Sequence, residues 1–76
     1  MNNVKRKTLS QIQNELEGIK SRLETVRDEE QDGYDNLSEG LQASIRGETM
    51  EEAISNMEVA IDAIEEAIDA IEEASM

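Results

Sequence analysis

Six carboxylates, Asp62, Glu65, Glu66, Asp69, Glu72 and Glu73, recur within two copies of the heptad Ala-Ile-Asp-Ala-Ile-Glu-Glu, at residues 60–66 and 67–73. On a helix they make a rigid acidic face. Such a row of carboxylates imitates the charge spacing of nucleic-acid phosphates. It can occupy the basic groove of a protein that handles DNA or RNA, with long-range attraction raising the association rate. The plainer role of the same residues is to keep an isoleucine-rich helix in solution.

Two further constellations carry chemistry. Asp28, Glu30, Asp32, Gly33, Asn36 and Glu39 stand at positions 1, 3, 5, 6, 9 and 12 of an EF-hand-like calcium loop. Glu30 replaces the usual Asp or Asn, and Asp35 falls where an apolar residue normally pairs with a neighbouring loop, so no metal site is expected. Tyr34 is the only aromatic residue and Arg46 the only base after Arg27. With Asn36, Gln42 and Ser44 between and around them, a ring to stack on a base and a guanidinium to hold a phosphate make an alternative, a nucleotide site at a subunit interface. An anionic ligand there would work against the surrounding negative field.

Other chemistries lack their residues. The chain has 76 residues, 19 acids against 7 bases, no His and no Cys, for a net charge of −12. Structural zinc, disulfides and thiol or histidine catalysis are excluded. No pattern singles out a catalytic pair among the acids, so neither an enzyme nor a cofactor is expected. The charge argues against direct nucleic-acid contact, since phosphates need a basic surface. No apolar run is long enough for a membrane span, and none follows Lys5–Lys7 as in a signal peptide.

The elements that must position these residues are two heptad segments. Leu9, Ile12, Leu16, Ile19, Leu23 and Val26 are spaced 3, 4, 3, 4, 3, with Leu at a and Ile, Ile, Val at d. They predict a helix over residues 9–31, opened by a Thr8/Gln11 capping box and stopped at Gly33. Ile54, Met57, Ile61, Ile64, Ile68 and Ile71 repeat the spacing and predict a second helix over 50–75, opened by Thr49 with Glu52. Residues 32–48 read as a linker with a short helix at about 37–46, capped by Asn36 and ended by Gly47 at a C′ position.

Charge predicts how the segments pair. Ten acids and no base follow Gly47. The e positions are Gln13, Lys20 and Arg27 in the first segment and Glu58, Glu65 and Glu72 in the second. Antiparallel pairing sets e against e, so Lys20 and Arg27 should meet glutamates. It also brings the Lys5–Lys7 cluster to the Glu72–Glu73 end, offsetting two unfavourable helix-dipole placements. The g positions of the second segment are Ala53, Ala60, Ala67 and Ala74, with Ala63 and Ala70 at c, so this helix is apolar over more than one seam. The sequence therefore predicts an all-α protein, an antiparallel two-helix coiled-coil hairpin with a short middle helix. The hairpin should self-associate into a bundle, a dimer or larger, the alternative being a three-helix monomer in which the middle helix covers the open face of its own hairpin.

The stretch Asp28–Met57 carries Asp28-Glu29-Glu30-Gln31, Tyr34-Asp35-Asn36-Leu37, Leu41-Gln42, Arg46-Gly47-Glu48 and Glu51-Glu52-Ala53-Ile54. In these it resembles a group of small acidic open reading frames from phages and prophages of Gram-positive bacteria. Ser38 stands where those frames often have Pro. They carry no assigned activity, so no functional residue transfers. The resemblance implies a phage or mobile-element accessory protein in the cytoplasm of a bacterial host. Together with the charge, it raises the expectation of a non-catalytic protein that binds and antagonises a basic host protein through Asp62, Glu65, Glu66, Asp69, Glu72 and Glu73. The alternatives are a nucleotide-signal sponge built around Tyr34, Asn36 and Arg46, and a purely structural coiled coil.

Overall fold

The computed structural model describes residues 1–76. It contains three helices and no strand: α1 over Asn3–Asp35, α2 over Glu39–Gln42 and α3 over Ile45–Ala74. The long helices α1 and α3 lie side by side as an antiparallel hairpin of 58 × 14 × 12 Å, closed at one end by α2.

Both long helices begin ahead of their predicted starts, and α1 also ends later than predicted, while α3 ends at Ala74 beside its predicted end. The Asn2 side chain accepts the Lys5 amide at 2.8 Å and opens α1 well ahead of Thr8. Thr8 and Thr49 lie inside helices, their hydroxyls donating to the carbonyls of Val4 at 3.1 Å and Ile45 at 2.8 Å. A threonine hydroxyl returns to the preceding turn in this way once the helix has begun upstream of it. Neither Gly33 nor Gly47 stops a helix, because a C′ glycine must be left-handed and no glycine here has positive φ. Instead α1 runs through Gly33 to Asp35.

The middle helix is also shorter than expected. Ser38, not Asn36, caps α2, its hydroxyl accepting the Leu41 amide at 3.3 Å. Asn36 instead ends α1. The segment leading into α3 is tied down by the Ser44 hydroxyl, which donates to the Leu41 carbonyl.

The core is small. Ile54, Ile61 and Ile68, the a positions of α3, are the buried hydrophobic residues, with Met57, Ile64 and Ile71 half-buried beside them. The facing stripe of α1 is not the predicted a/d seam. Half-buried residues are Leu9, Leu16, Leu23 and Glu30 at a and Gln13, Lys20, Arg27 and Tyr34 at e, joined by Glu24 and Gln31 at b and, near the closed end, Gly33 at d. The d residues Ile12, Ile19 and Val26 turn outward, 38%, 48% and 52% exposed. Polar contacts at e accompany the rotation. Lys20 reaches the Glu65 carboxylate and the Tyr34 hydroxyl donates to Glu51. Tyr34 stands two heptads after Lys20 and Glu51 two heptads before Glu65, so both contacts keep one antiparallel register. With e turned toward α3, the d stripe is left outside.

Candidate functional site

The acidic face is carried by the second half of α3, where an unbroken helix fixes the spacing of its carboxylates. Asp62, Glu66, Asp69, Glu72 and Glu73 are exposed, and no base pairs with any of them. Glu65 differs. It is half-buried at the hairpin seam, where the Lys20 ammonium donates to it. That hydrogen bond, supported by the negative charge of Glu65, raises the Lys20 pKa above its ordinary value. Glu65 thus belongs to the fold, and five carboxylates remain free. They span residues 62–73, about 16 Å of helix axis, a mean spacing of about 4 Å against the ~3.4 Å per phosphate of one DNA strand.

Arg27 does not reach a glutamate of α3. Its Nε donates to the neighbouring Asp28 at 3.0 Å, a carboxylate already beside it on α1. Lys5, Arg6 and Lys7 form no ion pair with Glu72 or Glu73, and the Arg6 guanidinium donates instead to Asn3 at 3.3 Å.

The Tyr34, Asn36 and Arg46 set is divided. The Tyr34 hydroxyl is engaged by Glu51, and its backbone carbonyl accepts from Gln42 Nε2 at 3.0 Å. The Glu51 hydrogen bond is the largest cause of a raised Tyr34 pKa, followed by partial burial and the charges of Glu51 and Asp35. Asn36 and Arg46 are exposed. A carboxylate at the phenol opposes a phosphate there, and no depression opens beside these residues. The EF-hand-like pattern is unrolled as well. Asp28, Glu30, Asp32 and Gly33 lie within α1, where a helical backbone cannot wrap ligands round an ion. No group of three or more acids is arranged to hold a metal.

Gln42 and Gly47 have roles that composition concealed. A Cβ on Gly47 would overlap the Gln42 backbone, so glycine is required for α3 to pass under α2. Together with the Gln42–Tyr34 hydrogen bond, this close approach locks the closed end. Glu51 and Tyr34 were findable by extending each heptad one repeat past its apolar residues. No helix is long and apolar enough to cross a membrane. Comparison with protein-family models, curated proteins and solved structures finds no match.

Proposed function

We propose that this chain is a non-catalytic interaction protein that presents the acidic face of α3 to a basic surface of a partner protein. The observation that carries this reading is the free carboxylate row, Asp62, Glu66, Asp69, Glu72 and Glu73, exposed on a rigid helix and opposed by no base. Such a row costs the free chain self-repulsion, and a basic groove that normally holds a nucleic-acid backbone converts that repulsion into attraction. The partner class that fits is a nucleic-acid-handling protein, which the acidic face would antagonise by occupying its groove. The resemblance of Asp28–Met57 to phage reading frames supports a bacterial host protein, such as a defence factor, as that partner, met in the host cytoplasm.

The test is capture from bacterial lysate by the intact chain beside the variant Glu66→Lys, Asp69→Lys and Glu73→Lys, which spares the structural Glu65. The wild-type chain should retain a basic protein that added duplex DNA displaces, and the variant should lose it while circular dichroism shows unchanged helicity. Equal capture by both chains, or a captured protein indifferent to DNA, would sink the proposal.

A further inference from the structure

The hairpin has two long sides of opposite character. Antiparallel pairing sets the e positions of both helices on one side and the g positions on the other. The e side holds the Lys20–Glu65 and Tyr34–Glu51 contacts and leads round to the free carboxylates. On the g side, α1 shows its outward d stripe of Ile12, Ile19 and Val26. There α3 shows half-buried Ile64 and Ile71 and exposed Ala63, Ala67 and Ala70, with no charged residue at its c, g or d positions from Ala53 to Ala74. The shallow depression lined by Ile19, Arg22, Leu23, Thr25 and Val26 opens on this side.

We infer that a second copy of this chain docks on the g side, antiparallel, across a two-fold axis at Ile19. Ile19 is the midpoint of α1, so the two α1 helices overlap along their whole length, and α3 overlaps its copy over its C-terminal half, about residues 58–74. The axis sets Ile19 against Ile19 and Ile12 against Val26. Charge complementarity selects this occupant. Glu15 and Arg22, flanking the stripe at g, are exposed and unpaired within the hairpin. The two-fold puts Glu15 of each copy beside Arg22 of the other, giving two symmetric ion pairs from one sequence. The Lys20–Glu65 register places α3 near Glu66 at the level of Ile19. The axis therefore passes between the two α3 helices where Ala67 meets Ala67 and Ala63 meets Ala70, small residues that let them approach. The overlap runs about 48 Å along α1 and about 25 Å along α3 at 1.5 Å per residue, and across a face 14 Å wide it gives a footprint of roughly 500 Å² per copy, the low end for a specific interface. The product is a four-helix bundle that completes a core of three buried isoleucines and leaves an acidic face on each flank. This inference stands apart from the acidic-face proposal, since it uses the opposite side of the hairpin.

Light-scattering mass of the purified chain across a concentration series tests it, with Glu15→Arg, Arg22→Glu, the double exchange and Ile19→Glu. The wild-type chain should reach twice its 8.5 kDa mass. Each single charge change creates two like-charge contacts and should weaken association roughly tenfold or more. The double exchange should restore the dimer, and Ile19→Glu should abolish it, with helicity retained in dilute samples. A wild-type chain that stays monomeric into the millimolar range would overturn the inference. So would charge variants that associate as tightly as wild type, a double exchange no better than the singles, or a dimer indifferent to Ile19→Glu.

Discussion

At the residue scale, Tyr34 and Gly47 do more for the hairpin than their neighbours. The Tyr34 hydroxyl donates to Glu51, and ionising it would set phenolate against carboxylate. Its pKa is raised in the fold, so the stability it contributes is complete below the ordinary tyrosine range and is lost as pH rises through the raised value. Lys20 has the same sign, because its proton is held by Glu65. Helicity should therefore be flat from neutral pH upward and fall only in the strongly alkaline range. Tyr34 is the sole aromatic residue, so tyrosinate absorbance reports its titration alone. The midpoint should lie above that of free tyrosine and return toward it in Glu51→Gln. A normal midpoint in the wild-type chain would remove the contact. Gly47 makes a different demand. Its α-carbon lies so close to the Gln42 backbone that a methyl group forces α2 away from α3. Gly47→Ala should cost about 1–3 kcal/mol in urea unfolding, whereas at the open Gly18 the same change should stabilise by about 0.5–1 kcal/mol through helix propensity.

At the scale of elements, the question is which face of α1 meets α3, and a pair of substitutions decides it. Ile61→Ala empties a buried a position and should cost about 2–5 kcal/mol, a large part of what so small a hairpin possesses. Ile19→Ala removes an outward d residue and should change the stability of dilute, monomeric chain by less than about 0.5 kcal/mol. Comparable losses at both sites would restore the a/d seam. The heptads made the two helices and their antiparallel sense legible, because 3, 4 spacing and the e-position charges both follow from a 3.6-residue turn. They did not reveal the rotation of α1. Leu at a and Ile at d are equally apolar, so the spacing alone does not say which flank of the a stripe turns inward, and the Lys20–Glu65 and Tyr34–Glu51 contacts at e show it only once the helices are placed. The helix ends were illegible for a related reason. Thr8, Thr49, Gly33 and Gly47 are all residues of helix termini by type, but Asn2 and Ser44 begin the helices earlier and no glycine turns left-handed. Of the acidic site, five of six carboxylates lie free on one helix as read from the repeat. Glu65 could be assigned to the fold only once its partner was placed.

At the scale of the whole molecule, salt should separate the two sides of the hairpin by acting on them with opposite sign. Each copy carries a net charge of −12, and α3 beyond Gly47 contains no base. Bringing two copies together on an apolar face stacks like charge on like charge, and apolar burial provides the attraction. Raising ionic strength from about 0.01 M to about 1 M shortens the screening length from about 30 Å to about 3 Å. It weakens the Glu15–Arg22 pairs as well, but exposed pairs contribute only about 0.2–1 kcal/mol each, less than the repulsion removed between two such anions. Self-association and melting temperature should therefore rise with salt. Docking of the acidic face on a basic partner is attraction between opposite fields, so the same salt must slow its formation and lower its affinity. Light-scattering mass and partner binding measured across one salt series should move in opposite directions. If both weaken with salt, the copies are held by charge and the apolar side is not the dimer face. If both strengthen, the partner is not recognised through the carboxylates of α3.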